Sequence, residues 1–381
     1  MFARILSLSL VVALVTVPAF AEEPAAKVVP FHNYTQAIEL KQGKTRVVLG
    51  PQAGGRVLEF SVDGKDAMFF DPAEKKWQPG KMGAISAGRF DYGPELVVPA
   101  HPKTWGGEWT AEITKGNTVK LTGPLDDGGI QLTREFRLIP NGEQIGLACK
   151  QTMTNVSKET REVCHWGRSF SPGGGICVIP LGDRPSRFPS KYAMYEDGTT
   201  INVKAKDEQI RERDGFLEIL APARKAKLGF DTYAGWLAYS MPNDTLFVKR
   251  FRTFPDRVYN EAAGLTLSVW YPPDTRIELE PIGPRERLKP GESASFTEEW
   301  WLLSHPFPKK GSNSTSRHSA SKSRSRPRNR SDVFLGTRAS RPRDLIQEPT
   351  TGVAYLASRD RKERCHVCAP CGRGSQGWGM T

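Results

Sequence analysis

Ile130-Gln-Leu-Thr-Arg-Glu-Phe-Arg-Leu138 decides the fold class, because apolar and polar side chains alternate along nearly its whole length. This period of two residues is the signature of a β-strand with one buried face, and the run ends at the turn Pro140-Asn-Gly142. Comparable runs, bounded by Gly, Pro, Asn or Asp, recur along the chain. They are Arg56–Val62, Thr118–Thr122, Gln144–Thr154, Glu162–Trp166, Ile176–Leu181, Phe216–Leu220, Trp236–Met241, Asp244–Phe254, Leu265–Tyr271, Arg276–Pro281 and Ser295–Leu303. A helical period of 3.6 residues hardly ever persists, so the sequence predicts an all-β sandwich or barrel.

The amino-terminal segment predicts export. Residues 1–4 carry one positive charge, residues 5–17 are almost wholly apolar, and Pro18-Ala-Phe-Ala21 ends in the small residues that a signal peptidase reads. The apolar run is shorter than the roughly 20 residues needed to span a bilayer. We therefore expect residues 1–21 to be a signal peptide, and the mature protein to be periplasmic or extracellular with no membrane contact. The alternative is an uncleaved membrane anchor.

Charge is divided unevenly along the chain. The formal net charge is +12, but the segment from Lys309 to Thr381 alone holds 16 Lys or Arg against 5 Asp or Glu. Once Arg4 leaves with the signal peptide, the body formed by residues 22–308 has 37 basic and 37 acidic residues. A body of zero formal charge gives no reason to expect nucleic acid as a partner of the folded domain.

Residues 309–381 have the composition of a disordered basic tail. The part from 312 to 331 is nearly all Ser, Arg, Lys, Asn and Thr, which cannot bury enough apolar surface to fold. Its Arg-Ser run would suit RNA or phosphate. A frame-shifted or mis-called gene end explains it more simply, because the domain is already complete at Ser304. Cys365-His-Val-Cys-Ala-Pro-Cys371 lacks a second pair of ligands, so we expect no metal there.

The body contains three cysteines, Cys149, Cys164 and Cys177. An odd number of cysteines is not a disulfide framework. Three buried free thiols are the favoured interpretation. The alternative is a bond between Cys149 and Cys164, which lie in candidate neighbouring strands.

The segment from Lys81 to Trp109 differs from the rest of the body, because Gly, Pro, Trp and His crowd it. Long loops of this composition in a compact domain are often binding loops. We expect this loop to form one rim of a binding cleft. The alternative is a surface excursion that its own side chains fill. Its candidate substrate-binding residues supply hydrogen-bonding groups and flat rings that suit polyhydroxylated ligands: Arg89, Glu95, His101, Trp105 and Trp109.

Two further residues are candidates for proton transfer. Alternation places His165 on the face opposite Cys164 and Trp166, so His165 faces a concave or solvent surface if Trp166 packs into the core. Glu280 lies on the polar face of another candidate strand. A glutamate and a histidine that converge from two strands of one sheet can act as general base and general acid.

Three segments, in this order along the chain, resemble the galactose mutarotase-like (aldose 1-epimerase-like) superfamily. Gly54–Gly64 resembles its opening strand pair, Thr154–His165 its segment that ends in a catalytic histidine, and Leu279–Glu292 its closing region with a catalytic glutamate. The resemblance implies a β-supersandwich of two large antiparallel sheets with a carbohydrate site on the concave face. It also implies that His165 protonates the ring oxygen of a sugar while Glu280 removes the proton from the anomeric hydroxyl.

The resemblance is incomplete around the first substrate contacts. Arg89 lies where the family often has a substrate-binding arginine, but Gly88–Glu95 replaces the usual Asn-Arg and His-Gly pattern. The chain therefore looks like an exported branch of the family rather than a true mutarotase.

Two functions remain as expectations. The first is an aldose 1-epimerase-like isomerase that uses Glu280 and His165 and needs no metal or organic cofactor. The second is a non-catalytic carbohydrate- or glycan-binding protein on the same scaffold. Side chains of Glu280 and His165 that face one another across a pocket would favour the enzyme. Either side chain pointing into the core would favour the binding protein.

Overall fold

The structure, a computed structural model, describes residues 25–114, 117–197 and 200–308. Within these residues it contains two large antiparallel β-sheets with few helical turns. The helical segments are Pro72–Lys76 and Ala262–Gly264, both 3₁₀, and the α-helical turn Pro102–Gly106. The all-β prediction of two antiparallel sheets is thus confirmed. The expected signal peptide and basic tail lie outside the described residues.

The larger of the two sheets is here called sheet 1. Its strands, in chain order, are β1 (Ala25–Phe31), β2 (Tyr34–Gln42), β3 (Thr45–Gly50), β4 (Arg56–Val62), β5 (Lys65–Asp66), β6 (Gly88–Gly93), β11 (Arg161–Pro172), β13 (Ala193–Tyr195), β14 (Ile201–Asn202), β17 (Lys227–Phe230), β20 (Leu267–Trp270), β21 (Arg276–Pro281) and β22 (Glu286–Leu288). Across the sheet the order is β1-β2-β3-β4-β6-β11-β21-β20-β17-β13-β14, with β5 beside β4 and β22 beside β11. Strands distant in sequence, β6, β11 and β21, therefore become neighbours at its centre.

The other sheet, sheet 2, contains most of the strands that alternate clearly in sequence. Its members are β7 (Thr110–Thr114), β8 (Thr118–Thr122), β9 (Ile130–Asn141), β10 (Gln144–Asn155), β12 (Ile176–Pro180), β15 (Ile210–Arg213), β16 (Phe216–Ile219), β18 (Trp236–Met241), β19 (Thr245–Phe251) and β23 (Ser293–Ser304). Their order is β15-β16-β12-β18-β19-β23-β10-β9-β8-β7. The stretch that decides the fold class, Ile130–Leu138, lies in β9 and pairs along its length with β10.

The main hydrophobic core lies between the inner faces of the two sheets. Trp300 of β23 is fully buried, stacks on Phe90 of β6 at 5.3 Å between ring centroids, and meets Phe247 of β19 edge-on at 5.5 Å. Side chains from both sheets interdigitate here, which is how a sandwich buries one face of each sheet. Deleting such a ring typically costs about 3–5 kcal/mol.

The outer face of sheet 1 is also covered over much of its area. At one side the turn Pro72–Lys76 holds Trp77 flat on Tyr34, with ring centroids 4.6 Å apart. At the other side Phe188, Tyr259 and Leu265 pack over Trp166 and its neighbours. Strands in the middle of sheet 1 are therefore buried on both faces, and their sequences lack a simple inside–outside alternation.

Two sequence expectations are decided at this level. The segment Lys81–Trp109 is not one continuous loop, because residues 88–93 form β6 at the centre of sheet 1. The three body cysteines, Cys149, Cys164 and Cys177, are free and buried, as favoured.

No helix among the described residues is long and apolar enough to cross a membrane.

Candidate functional site

His165 points from β11 into the space between the sheets. Its side chain is 2% exposed, and its Nε2 lies 2.8 Å from Oε1 of Glu298 on β23. Its Nδ1 lies 3.1 Å from Nε2 of Gln151 on β10. Because the Gln151 amide nitrogen donates, Nδ1 accepts and the proton resides on Nε2, which donates to Glu298. Both ring nitrogens are therefore occupied by residues of sheet 2.

A buried charged network surrounds His165. Glu298 accepts from Lys249 at 2.9 Å and from the indole of Trp300 at 2.8 Å, and all of these groups are buried. Burial lowers the pKa of His165 and of Lys249 despite the nearby carboxylate. Burial also acts to raise the pKa of Glu298, but the Lys249 ammonium and the His165 hydrogen bond outweigh it and lower that pKa to about 2. This network joins the two sheets through the core.

Glu280 lies on the opposite face of sheet 1. Its carboxylate is fully buried and accepts from Nζ of Lys227 at 2.8 and 2.6 Å and from the indole of Trp166 at 2.8 Å. Burial raises the pKa of Glu280 to about 7 against the opposing charge of Lys227. Burial disfavours the charged form of Lys227, but Glu280 and Glu278 outweigh it and raise its pKa.

The register of the strands explains why His165 and Glu280 do not meet. Ser169 of β11 pairs with Leu279 of β21, so Arg168 lies opposite Glu280. Residues of even number in this part of β11 share the outer face with Glu280, whereas His165 faces sheet 2. The expected pair across one pocket is thus not brought together by the structure. Trp166 does not pack between the sheets either; it is buried beneath loops on the outer face.

The outer face of β6, β11, β21 and β17 carries a dense group of polar and aromatic side chains, here called the outer cluster. Its members are Arg89, Asp91, His101, Trp105, Trp166, Arg168, Lys227, Glu278 and Glu280. Four of them, Arg89, His101, Trp105 and Glu280, were expected from the sequence. The structure brings these four to one side of sheet 1.

Trp105 is the aromatic centre of the outer cluster. It belongs to the helical turn Pro102–Gly106, which follows β6 and folds back over it. The Arg89 guanidinium lies 3.8 Å from its ring centroid and that of Arg168 lies 4.8 Å away. Arg168 in turn lies 4.2 Å from the ring of Trp166. Arginine and tryptophan thus alternate across the face, an arrangement that cation–π attraction favours.

Asp91 fixes the two aromatic residues of the loop. Its carboxylate accepts from the Trp105 indole and lies 2.6 Å from Nε2 of His101, while Nδ1 of His101 lies 2.7 Å from the carbonyl oxygen of Pro99. Burial lowers the pKa of His101, but the hydrogen bond and charge of Asp91 outweigh it and raise that pKa. A raised pKa favours a protonated His101 bound to an ionised Asp91.

Only a few atoms of the outer cluster reach solvent. The side chains of Lys227 and Arg168 are 18% and 12% exposed, Trp105 is half-buried, and the carboxylates are buried beneath them. The buried groups beneath are therefore charged and hydrogen-bonded to one another, and the accessible part of the cluster consists of the exposed portion of one indole and two cationic heads. Such a surface can donate hydrogen bonds and contact a ligand through the exposed part of the indole.

Two other residues of the expected rim lie elsewhere. Trp109 is 3% exposed in the core, donates to the carbonyl oxygen of Thr104 at 3.0 Å and lies 4.1 Å from the guanidinium of Arg134. Its predicted contact with substrate is wrong, because its ring is enclosed by protein. Glu95 is exposed, and its backbone N–H donates to Glu261 at 2.9 Å. Its charge acts on Lys227, so it lies at the margin of the outer cluster.

Five members of the outer cluster were not expected from the sequence: Asp91, Trp166, Arg168, Lys227 and Glu278. Alternation does indicate that Arg168 and Trp166 share one face, and that Glu278 accompanies Glu280. Alternation could not predict that β6, β11, β21 and β17 lie close together in one sheet.

Among the described residues no group of three or more His, Cys, Asp or Glu side chains could hold a metal ion.

Comparisons with known proteins yield structural likeness only. No family model matches the chain and no curated protein matches its sequence. Among solved structures, a galactose mutarotase-like protein from Lactobacillus casei is 11% identical, with 70% of this chain and 99% of that chain covered and a TM-score of 0.48. A galactose mutarotase-like protein from Clostridium acetobutylicum is 9% identical, with coverages of 74% and 99% and a TM-score of 0.44. The Slr1438 protein from Synechocystis sp. PCC 6803 is 12% identical, with coverages of 73% and 100% and a TM-score of 0.48.

Proposed function

We propose that this protein is an exported carbohydrate-binding protein that holds its ligand on the outer face of sheet 1. The observation that carries the proposal is the half-buried ring of Trp105 beside the partly exposed donor Arg168, with the partly exposed donor Lys227 on the same face over the ring of Trp166. The apolar C–H face of a sugar ring stacks on an indole, while its hydroxyl groups accept hydrogen bonds from guanidinium and ammonium groups. The outer cluster offers both kinds of contact on one surface.

The hydrogen bonds that the Glu280 carboxylate already accepts favour binding over catalysis. A general base needs a free lone pair within hydrogen-bonding reach of the proton that it removes. Both oxygens of Glu280 accept from Lys227, one of them also from Trp166, and the carboxylate is fully buried. His165, the expected acid, is engaged on the other side of the sheet. The geometry therefore supports the non-catalytic alternative best.

The enzymatic alternative has one specific observation in its favour. Burial raises the pKa of Glu280 to about 7, which is close to the working pH of most proteins. An acid–base group is most effective when its pKa lies near the operating pH. An aldose 1-epimerase-like isomerase would require Lys227 to release this carboxylate when a sugar binds.

One set of measurements separates the two functions. Isothermal titration calorimetry with hexoses, uronic acids and oligosaccharides measures binding to wild type, Trp105→Ala and the control Trp236→Ala, a half-buried tryptophan of sheet 2. We expect Trp105→Ala to weaken binding at least tenfold and Trp236→Ala to leave it unchanged. Equal affinities in the two variants would remove the outer cluster as the binding surface.

Polarimetry of freshly dissolved α-anomers tests catalysis on the same proteins. We expect wild type to bind a sugar without accelerating anomer exchange. Acceleration that Glu280→Gln abolishes while affinity stays within a few-fold would establish the enzyme instead, because the amide keeps the shape of the side chain and loses its basicity. His165→Asn tests the expected acid in the same assay.

Export is part of the proposal and has its own test. Cell fractionation and intact-mass measurement should find the protein outside the cytoplasm, with Glu22 as its first residue. A mass that retains residues 1–21 would favour the membrane anchor.

A further inference from the structure

Two arginines of the outer cluster face each other across neighbouring strands. Arg89 of β6 is the direct register partner of Arg168 of β11, and both side chains lie on the outer face of sheet 1. Like charges directly opposite each other in an antiparallel pair destabilise the sheet. The arrangement therefore needs anionic groups nearby to offset the repulsion.

The carboxylates of the cluster are committed to other partners. Glu278 accepts from Arg168 at 2.7 Å, and Glu280 is held by Lys227. Asp91 is shared by His101 and the Trp105 indole, and its distance to Arg168 is 3.9 Å. Each of these carboxylates thus already has a cationic neighbour of its own.

Arg89 is left without a carboxylate. Among the described residues its guanidinium donates only to two carbonyl oxygens, of Trp105 at 3.0 Å and of Ala84 at 3.4 Å, and the residue is 3% exposed. A buried cation that lacks a counter-ion is costly, because it loses its hydration without gaining an opposite charge. Burial, followed by the charges of Arg56 and Arg168, lowers the pKa of Arg89 to about 9, although the charges of Asp91 and Glu278 act in the opposite direction.

Arg89 lies close to the accessible part of the cluster, because its guanidinium is 3.8 Å from the ring centroid of the half-buried Trp105. Arg168 contacts the same ring, and Arg168 and Lys227 both lie over the ring of Trp166 with partly exposed heads. An anion at this surface would receive hydrogen bonds from these two donors and attraction from Arg89, which forms no ion pair of its own among the described residues. Guanidinium groups bind oxyanions through paired N–H donors, so the geometry suits a carboxylate or an ester of sulfate or phosphate.

We infer that the ligand is an acidic sugar, one whose ring bears an oxyanion next to the hydroxyl groups that the cluster binds. This inference rests on the proposed carbohydrate function and adds the substrate class. Trp105 takes the apolar face of the ring, and Arg168 and Lys227 hold the oxyanion. Arg89 supplies the charge that makes an acidic sugar preferable to a neutral one.

Matched sugars test the inference directly. Calorimetry at low salt compares galacturonate with galactose and glucuronate with glucose, and galactose 6-sulfate and galactose 6-phosphate identify the kind of oxyanion. We expect each acidic sugar to bind at least tenfold more tightly than its neutral partner. Raising the salt concentration should weaken the binding of the acidic sugar and leave the binding of the neutral sugar unchanged, because salt screens interactions between charges. This comparison needs no variant.

Variants then identify the residue whose positive charge causes the preference for acidic sugars. Arg89→Met should reduce the preference to less than threefold, whereas Arg89→Lys and the exposed control Arg137→Met should retain it. Neutral sugars that bind as tightly as acidic ones, or a preference that survives Arg89→Met, would overturn the inference while leaving carbohydrate binding in place. Failure of every sugar to bind wild type would overturn the proposed function and this inference together.

Discussion

Replacing Glu298 by Gln should strongly destabilise the domain, because Glu298 neutralises a cation in the core. Its carboxylate is fully buried and binds Lys249 at 2.9 Å and His165 at 2.8 Å. Removing one partner of a buried ion pair typically costs about 3–5 kcal/mol, because the other charge is left uncompensated. The pKa of Glu298, which falls from an ordinary 4.5 to about 2, points in the same direction, because the folded protein favours the ionised carboxylate.

The assay is urea unfolding at pH 7, followed by tryptophan fluorescence. We expect Glu298→Gln to lower the free energy of unfolding by about 3 kcal/mol, or the Tm by about 6–12 °C for a domain of this size. Glu299→Gln on the same strand is the matched control. Its side chain is 40% exposed and pairs with Arg250 at 3.5 Å, so its loss should cost less than about 1 kcal/mol.

A double variant separates charge from packing. Glu298→Gln combined with Lys249→Met removes both charges, and should recover most of the stability that Glu298→Gln loses. The sign of the pH effect follows from the depressed pKa of Glu298. Its contribution is complete above about pH 5 and is lost as pH falls from its ordinary 4.5 towards about 2. A cost below about 1 kcal/mol for Glu298→Gln, or no recovery in the double variant, would refute this account of the core network.

Three further outcomes are expected. The chain that ends at Pro308 should melt within a few degrees of the full-length protein, because β23 completes sheet 2 at Ser304; a collapse of the shorter chain in differential scanning calorimetry would contradict this boundary. Trp109→Ala should lower the Tm by several degrees without changing the sugar affinity per folded molecule, since its ring packs in the core. In the chain that ends at Pro308, which lacks Cys365, Cys368 and Cys371, no thiol should react with Ellman's reagent before unfolding, because Cys149, Cys164 and Cys177 are buried; reaction in the native state would show that one of them is accessible.

Several residues of the candidate site could be predicted from the sequence, but their arrangement in space could not. The composition of Lys81–Trp109, crowded with Gly, Pro, Trp and His, drew attention to Arg89, His101 and Trp105, which the structure places together in the outer cluster. It could not separate Trp105 from Trp109, four residues further on. One of these rings caps the outer cluster and the other fills the core, and the turn Pro102–Gly106 between β6 and β7 decides which.

The orientation of His165 shows the limit of alternation. The pattern states correctly that His165 and Trp166 lie on opposite faces, but it assumes that only one face is buried. In β11 both are: His165 is 1% exposed and Trp166 is 3% exposed. Loops cover the outer face of sheet 1, so residues on both faces of β11 are buried. A difference in burial therefore cannot distinguish the inner face from the outer one.

The sequence by itself determined that this protein is built of strands, because a period of two residues and closely spaced turn residues are local properties of the chain. It also determined which side chains along each strand share a face. Only the tertiary structure decided which strands are neighbours. Arg89 and Arg168 are register partners although 79 residues separate them, and Lys227 reaches Glu280 across β20. Strand order depends on which faces can be buried together, a property of the whole chain that no segment of it encodes alone.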